Sequence, residues 1–330
     1  MQYAWMGQTG VRVSKLGFGT MLFGTDADEP TSAALYGAAR DAGVNLFDCA
    51  DVYGSGRAEE ILGRLVAPHR NEIVLTSKAY FPTSSDLNAR GTSRYHLVRA
   101  VEDSLRRLST DRIDLFFLHR YDDATDLDET LRATDDLVQS GKILYLGVSN
   151  FAAWQTSKAI ERARANGWSP IVAMQPMYNL LKRTAEIELL PMAQAEHVAV
   201  FPYSPAAGGL LSGKYGREHR PEHGRVVDNA MYNARYADRS NFEIAEHFVR
   251  RAADLGVHPL TLAIAWVAAH PAVTAPLVGA RHLDQLGPAL AAADFQLSPE
   301  LRAELSKLSP APPPATDRNE EGSEHNYGTR

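Results

Sequence analysis

Short apolar segments alternate with longer amphipathic segments along most of the chain. Continuous apolar runs of this length are typical of strands that are buried on both faces of a parallel sheet. A buried helix gives a similar pattern, but it needs more residues. The predicted strands are residues 16–19, 44–48, 72–78, 113–119, 143–149, 171–175, 198–203 and 273–278.

The segments between these runs carry apolar residues at spacings of three and four, which is typical of amphipathic helices. Val98, Val101, Leu105 and Leu108 show this spacing. The predicted helices are residues 31–42, 57–66, 93–108, 128–140, 151–165, 184–195 and 241–255. Glycine just past a helix end closes it in a left-handed conformation. Such glycines stand at Gly43, Gly141, Gly167 and Gly256.

The repeated alternation of strand and helix predicts a parallel α/β fold. Eight strand–helix units suit a closed (β/α)8 barrel of the TIM type. A doubly wound sheet is the alternative, and it often carries a Gly-x-Gly-x-x-Gly turn after its first strand. Here Gly17 and Gly19 are present, but Leu22 stands at the third glycine position. The pattern therefore favours the barrel.

Three segments fall outside a minimal barrel. Residues 2–14 predict a hairpin that covers the bottom of the barrel. Residues 205–240 form a long connection after the seventh strand, and connections of this length are usually functional or disordered. Residues 309–330 are rich in proline and charge, so we expect a partly disordered C-terminal tail after a single barrel domain over residues 1–308.

Composition and charge exclude several classes of protein. The 330 residues are 45% hydrophobic and 22% charged, as in an ordinary globular protein. A net charge of −6 disfavours nucleic acid as a partner. No apolar run approaches the ~20 residues of a membrane span, and no signal peptide is evident. A single cysteine, Cys49, excludes an internal disulfide. We therefore expect a cytoplasmic protein that does not bind membranes, and we leave both a monomer and a homo-oligomer open.

Polar residues end six consecutive predicted strands, at the edge where barrels hold their active sites. The strand-end residues are Asp48, Lys78, His119, Ser149-Asn150, Gln175 and Tyr203-Ser204, with Tyr53 five positions after Asp48. Each one alone has a structural interpretation as a turn cap, a hydrogen-bonded core residue or a packed aromatic. Their joint occurrence at one edge favours an active site.

These residue types fit proton donation to a carbonyl oxygen beside a hydride acceptor. Tyrosine has a pKa near ~10, and a neighbouring ammonium lowers it. Lys78 can supply that ammonium, and Asp48 can orient it. His119 can hydrogen-bond the substrate oxygen while Tyr53 delivers the proton. Strand alternation points Cys49 away from this site, which favours a packing role.

Several of these motifs together resemble the aldo-keto reductase superfamily over about residues 10–308. Residues 45–54 match its second-strand signature, and Lys78 and His119 match the remaining tetrad positions. Residues 141–151 match its fifth-strand segment. The resemblance implies NADPH-dependent reduction of aldehydes or ketones. It implies Tyr53 as the acid, Lys78 and Asp48 as residues that tune it, and His119 as the residue that orients the substrate.

The resemblance also implies an NADPH site. Gln175 and Ser149-Asn150 match residues that hold the carboxamide, and Tyr203 matches the aromatic that stacks on the nicotinamide ring. Arg281 matches a position that can pair with a 2′-phosphate, which favours NADPH. The full implied set is Gly19, Thr20, Met21, Asp48, Ser149, Asn150, Gln175, Tyr203, Ser204, Pro205, Gly209, Leu210, Ser212, Lys214, Gly279, Ala280, Arg281 and Gln285.

The chain departs from the family where the adenine is expected. Gln285-Leu286 are present, but Pro288-Ala289 replace the Glu-Asn pair that commonly follows. The usual adenine contacts are therefore missing, and the strictness of NADPH over NADH stays open.

The branch resembled has a long loop after the seventh strand, and it includes bacterial aldehyde reductases and potassium-channel β subunits. An alternative function is therefore an NADPH-binding sensor or regulatory subunit with slow turnover, although the complete tetrad favours an enzyme. We expect the rim of the pocket to be apolar and aromatic. A sugar or keto-sugar is an alternative substrate. The rim residues are Met21, Phe23, Tyr80, Phe81, Tyr121 and Phe151.

Overall fold

A computed structural model describes residues 1–326, and it begins with a hairpin. Strands β1 (Tyr3–Trp5) and β2 (Arg12–Ser14) pair antiparallel. Met6, in the turn between them, is fully buried in an apolar cluster with residues from the beginning of the barrel strands, such as Leu46 and Leu277. The hairpin therefore covers the bottom of the barrel, which confirms the prediction for residues 2–14.

Parallel strands form the barrel wall in the predicted order. They are β3 (Gly17–Gly19), β4 (Leu46–Asp48), β5 (Val74–Ala79), β6 (Ile113–Leu118), β7 (Ile143–Ser149), β8 (Ile171–Gln175), β9 (Ala199–Val200) and β10 (Leu277–Val278). The sheet order within the described residues is β10-β3-β4-β5-β6-β7-β8-β9. Backbone amides of Thr274 and Leu277 donate to the carbonyls of Val200 (2.9 Å) and Pro202 (2.8 Å), which closes the barrel between β9 and β10. The barrel prediction is confirmed.

Helices surround the sheet, and most lie where amphipathic spacing predicted them. They are α1 (Glu29–Asp41), α2 (Arg57–Val66), α3 (Arg94–Leu108), α4 (Leu127–Gln139), α5 (Ala153–Asn166), α6 (Leu189–Ala195), α7 (Arg225–Asp228), α8 (Ala230–Tyr236), α9 (Arg239–Asp254), α10 (Pro259–Ala268), α11 (Leu283–Leu290) and α12 (Pro299–Ser306). Gly43, Gly141, Gly167 and Gly256 all have positive φ, as predicted for helix ends. The helix predicted over 184–195 is shorter, because residues 184–186 form a separate 3₁₀ turn.

The helices that the sequence pattern did not predict are α7, α8, α10, α11 and α12. Helix α10 is buried on nearly every side, so its sequence has no polar face to mark a helical period. Helices α7 and α8 lie inside the long connection 205–240 and are too short to show a period. The connection is therefore partly helical, and its Tyr232 and Tyr236 are buried.

The chain after the last strand packs back against the barrel. The Trp266 indole donates to the Ser306 hydroxyl at 3.0 Å, and the Arg183 guanidinium donates to the Ser306 carbonyl at 2.8 Å. Residues 319–322 form a 3₁₀ turn, and the last part of the expected tail, residues 327–330, lies outside the described residues. Within residues 1–326, none of the helices has the length and apolar character needed to cross a bilayer.

Candidate active site

The ends of neighbouring parallel strands bring the predicted tetrad together. Asp48 is the last residue of β4 and pairs in register with Thr76 of β5. Lys78 lies two residues further along β5, and His119 follows directly after β6. Side chains two apart on a strand share a face, so Lys78 points to the same interior as Thr76. Asp48, Lys78 and His119 are all buried.

Lys78 is the centre of the site, and its ammonium has three oxygen partners. It donates to Asp48 Oδ2 and to the Cys49 carbonyl at 2.6 Å each, and to the Tyr53 hydroxyl at 3.3 Å. A buried ammonium needs such partners because desolvation penalises an unpaired charge. Lys78 therefore has its charge neutralised by Asp48 on one side and faces the Tyr53 hydroxyl on the other.

Asp48 is held by further hydrogen bonds to its second oxygen. The Thr76 hydroxyl donates to Oδ1 at 2.7 Å, and the Gln175 amide donates to it at 2.9 Å. The carboxylate is thus fixed from β5 and from β8, on opposite sides of the barrel interior. The 3₁₀ turn at residues 53–56, in which Gly54, Ser55 and Gly56 have positive φ, sets Tyr53 over this pair.

The electrostatics of Tyr53 differ from the sequence-based expectation. Burial raises the pKa of Tyr53 to about 12, and the Lys78 ammonium only partly opposes that effect. Burial also disfavours the charged form of Lys78, but Asp48 and Tyr53 outweigh it and raise the pKa of Lys78. At neutral pH the site therefore holds a protonated phenol beside a permanent ammonium, so Tyr53 is poised to donate a proton.

His119 lies beside Tyr53 as a neutral imidazole. The two rings meet edge to face with their centroids 6.1 Å apart, and Phe81 packs on the other side at 4.9 Å. Burial, helped by the Lys78 charge, lowers the pKa of His119 well below its usual value. Among the described residues Nδ1 of His119 has no hydrogen-bond partner. A neutral imidazole can hydrogen-bond a substrate oxygen without adding a charge.

A second chain of polar groups continues from His119 around the rim. The Asn150 amide donates to the His119 carbonyl at 2.9 Å, and Asn150 Oδ1 accepts from the Tyr203 hydroxyl at 2.7 Å. The Ser149 hydroxyl donates to the Gln175 carbonyl at 2.9 Å. The predicted cofactor residues from three strand ends therefore form one connected network.

These residues border a cavity of about 810 Å³. Asp48, Tyr53 and His119 line it, while Lys78 stands behind its wall. The remaining predicted residues that line it are Gly19, Met21, Ser149, Asn150, Gln175, Tyr203, Ser204, Pro205, Gly209, Ser212, Lys214, Gly279, Ala280, Arg281 and Gln285. Thr20 and Leu210 do not line it. The Thr20 hydroxyl donates to the Asp48 carbonyl at 2.9 Å, and Leu210 packs in the hydrophobic core.

One end of the cavity gathers basic groups. Lys214 and Arg225 line it together with Arg281, whose guanidinium lies 2.8 Å from Asp26. Burial, together with the charges of Arg281 and Arg225, lowers the pKa of Lys214. Burial is the larger cause, and repulsion by the two guanidinium groups adds to it. This end therefore attracts an anion.

The aromatic rim differs from the expectation. Met21 and Phe81 line the cavity, but Phe23 is buried in the core and Tyr121 packs with Phe151 beside it. In place of the expected aromatic rings the wall contains Met231, Tyr232 and Arg235 of α8. These residues could not be predicted, because nothing in the local sequence pattern shows that α8 folds onto the cavity.

A buried acidic pair behind the tetrad was also missed. Both carboxyl oxygens of Asp51 are buried without a hydrogen-bond partner among the described residues. Burial and the nearby Glu59 raise the pKa of Asp51 to about 8, against the opposing charge of Arg107. Glu59 itself is fully buried, accepts from the Ser77 hydroxyl and pairs with Arg107 at 2.7 Å. In the sequence both acids look like ordinary residues of a turn and of a helix.

Comparison with known proteins agrees with this geometry. A family model described as the aldo/keto reductase family matches residues 15–310. The chain is 37% identical to an uncharacterized oxidoreductase, YrpG, of Bacillus subtilis, over 94% of this chain and 97% of that protein. It is 35% identical to a probable voltage-gated potassium channel subunit beta of Oryza sativa, over 96% and 99% of the two chains.

A third relative has a named reaction. The chain is 32% identical to the versiconal hemiacetal acetate reductase of Aspergillus parasiticus, over 91% of this chain and 94% of that protein. The family match therefore covers nearly the whole barrel and not the active-site motifs alone. This chain belongs to the aldo/keto reductase family and is an NAD(P)H-dependent oxidoreductase.

Proposed function

We propose that this protein reduces aldehyde or ketone carbonyls to alcohols with NADPH, and that Tyr53 donates the proton. The observation that carries the proposal is the 3.3 Å contact between the Tyr53 hydroxyl and the Lys78 ammonium, which pairs with Asp48 at 2.6 Å. This group lies at the wall of a cavity large enough for a dinucleotide and a small substrate.

In this proposal the residues of the protein polarise the carbonyl, donate a proton to it and stabilise the phenolate that is left. His119 and Tyr53 hydrogen-bond the carbonyl oxygen and polarise the C=O bond. Tyr53 then gives its proton to that oxygen, and the Lys78 ammonium stabilises the phenolate that remains. A proton from solvent restores the phenol. A bound nicotinamide cofactor supplies the hydride that adds to the carbonyl carbon.

The residues along the cavity fit such a cofactor. Gly208 and Gly209 have positive φ, and a Cβ at Gly209 would meet the Lys214 side chain at 3.0 Å. A side chain would therefore be crowded at these positions, whereas glycine leaves the backbone bare, which lets a phosphate approach it closely. Lys214, Arg225 and Arg281 supply the positive charge, Ser149 and Asn150 can hold the carboxamide, and Tyr203 can pack against the ring.

Tyr53→Phe tests the proton donor. The variant keeps the ring and removes the proton, so we expect kcat for aldehyde reduction to fall by at least ~100-fold, while affinity for NADPH changes little. Steady-state oxidation of NADPH with a panel of aldehydes measures the first quantity, and fluorescence titration measures the second. Tyr95→Phe, at an exposed tyrosine of α3, is the matched control. Turnover near the wild-type value in Tyr53→Phe would show that another group donates the proton.

Arg281→Ala tests the preference for NADPH. Only NADPH offers a 2′-phosphate, so we expect KM to rise about tenfold for NADPH and to change little for NADH. Parallel titrations of the two cofactors measure this difference. A similar rise for both cofactors would indicate that Arg281 contacts a part that they share.

The kinship to channel β subunits favours one second candidate, an NADPH-binding sensor with slow turnover. The complete set of Asp48, Tyr53, Lys78 and His119 supports the enzyme instead. Rapid steady-state turnover with any aldehyde decides for the enzyme. Tight NADPH binding with no turnover above a few cycles decides for the sensor.

The proposal places this activity in one catalytic barrel domain, residues 1–308, with residues 309–330 as an appended tail. It also places the protein in the cytoplasm, which the unpaired, buried Cys49 supports.

A further inference from the structure

Positive charge is concentrated around the active-site cavity of a protein that is acidic as a whole. The chain carries a net charge of −6. The acids that line the cavity are Asp48, which is paired with Lys78, and Asp284. The bases that line it are Arg120, Lys214, Arg225, Arg235 and Arg281. A cleft with this excess of one sign attracts ligands of the opposite sign.

The proposed function assigns three of these bases to the phosphates of the cofactor. Lys214, Arg225 and Arg281 all line the cavity. They form the basic end described above.

The other two bases, Arg120 and Arg235, line the same cavity as Tyr53 and His119. Arg120 is the next residue after His119. The guanidinium groups of Arg235 and Arg225 lie 5.3 Å and 5.5 Å from the centroid of the Tyr232 ring. Arg235 lines the same cavity as Tyr203 and its hydroxyl. That hydroxyl is joined to the His119 backbone through Asn150, by hydrogen bonds of 2.7 Å and 2.9 Å. Both arginines therefore border the cavity in which a substrate at Tyr53 and His119 would lie.

Neither guanidinium has an anionic partner among residues 1–326. Arg120 makes no hydrogen bond or ion pair there. Arg235 contacts the Met231 sulfur at 3.2 Å and lies 5.3 Å from the ring centroid of Tyr232. A thioether and an aromatic face hold an arginine in place but leave its charge uncompensated. The planar donor fork of arginine matches a carboxylate or phosphate.

We propose that Arg120 and Arg235 bind an anionic oxygen group of the substrate, so that the enzyme prefers aldehydes or ketones that carry a carboxylate or a phosphate. This inference rests on the proposed function, which places the carbonyl at Tyr53 and His119. The two arginines contact the end of the substrate away from the carbonyl, so they determine specificity and take no part in proton transfer.

Pairs of matched substrates test the preference. One pair is 4-formylbenzoate and its methyl ester, and the other is glyceraldehyde 3-phosphate and glyceraldehyde. We expect kcat/KM of the wild-type enzyme to favour the anionic member of at least one pair by about tenfold or more. The first pair reports a carboxylate and the second a phosphate. Equal kcat/KM within both pairs would overturn the inference, and it would leave the proposed reductase intact.

Substitution of each arginine tests the assignment. In Arg235→Gln and Arg120→Gln we expect the anionic preference to fall about tenfold, mainly through KM. Arg239→Gln is the matched control, because this exposed arginine pairs with Glu243 on α9, away from the cavity lining. Retention of the full preference in both cavity variants would overturn the inference.

Binding of the product alcohols supplies a readout that needs no turnover. Calorimetry compares 4-(hydroxymethyl)benzoate with its methyl ester, and glycerol 3-phosphate with glycerol. We expect the anion to bind more tightly, and Arg235→Gln to remove that advantage. If the advantage is lost in Arg225→Gln instead, the anion occupies the basic end and the inference is wrong. The binding measurement can be interpreted even if the protein reduces none of the aldehydes. Absence of reduction would contradict the proposed function, but it would not contradict the assignment of the anion site.

Discussion

Lys78 shows how strongly one buried charge organises this site. Its ammonium is completely shielded from solvent, so its cost of burial is met by Asp48, the Cys49 carbonyl and the Tyr53 hydroxyl. The same arrangement limits what the ammonium does to Tyr53. Because Asp48 neutralises much of its charge, burial dominates and the pKa of Tyr53 rises to about 12. The phenol therefore stays protonated over the physiological pH range.

Asp51 makes the stability of the protein depend on pH. Its pKa rises from 3.8 to about 8 in the fold because burial favours the neutral acid. The folded protein therefore keeps the Asp51 proton up to about pH 8, whereas the unfolded chain loses it near pH 4. The free energy of unfolding is highest below about pH 4 and falls as the pH rises to 8. In Asp51→Asn we expect the free energy of unfolding, relative to the wild type, to increase over this range by up to ~1.4 kcal/mol per pH unit.

Urea unfolding at pH 4.5, 6.0 and 7.5 measures this difference. Asp41→Asn, at an exposed position at the end of α1, is the control, and we expect its difference from the wild type to stay constant. A constant difference for Asp51→Asn as well would indicate that Asp51 is ionised in the folded protein.

At the scale of elements, the contact between α2 and α3 depends on a missing side chain. A Cβ at Gly63 would lie 2.4 Å from the Leu108 carbonyl oxygen, which is backbone and cannot move aside cheaply. We therefore expect Gly63→Ala to lower the free energy of unfolding by about 1–3 kcal/mol, despite the better helix propensity of alanine.

Gly37→Ala is the matched control on α1, where a Cβ meets nothing within 4 Å. For Gly37→Ala we expect the free energy of unfolding to increase by about 0.5–1 kcal/mol, because alanine favours the helix. Urea denaturation of both variants measures these changes. A gain at Gly63 similar to that at Gly37 would show that the two helices can separate at little cost.

At the scale of the whole molecule, the cavity is assembled from distant parts of the chain. Met21 comes from the beginning of the barrel, Tyr232 from the long connection and Arg281 from its end. A ligand that spans the cavity contacts all three and stabilises the closed arrangement by mass action. The connection 205–240 therefore contributes to the cavity wall, and we expect it to close over a bound cofactor as a flap.

Amide exchange with and without NADPH tests the flap. We expect protection of residues 205–225 to increase at saturating NADPH, because the ligand lowers the population of open states. Residues 113–118, in the buried strand β6, serve as the internal reference. Unchanged protection across 205–225 would show that the segment is a static loop.

The sequence by itself determined the barrel, and it singled out the residues that we propose as catalytic. The wall strands are buried on both faces and therefore carry continuous apolar runs, and the polar residues that end these runs at Asp48, Lys78 and His119 stand out against them. Amphipathic helices such as α3 show their period for a related reason, because one face meets the sheet and the other meets water. These signals are local, so they can be read without knowing the fold.

Only the tertiary structure decided the rest. Helix α10 is apolar on nearly all sides, so only its packing distinguishes it from a strand. The role of Arg235 depends on α8 folding onto the cavity, and the pKa of Asp51 depends on Glu59 and Arg107 closing around it. Both properties depend on residues that are distant along the chain. How far the pKa of a group shifts depends on how deeply the fold buries it. The balance between desolvation and Lys78 at Tyr53 is likewise a property of the assembled barrel.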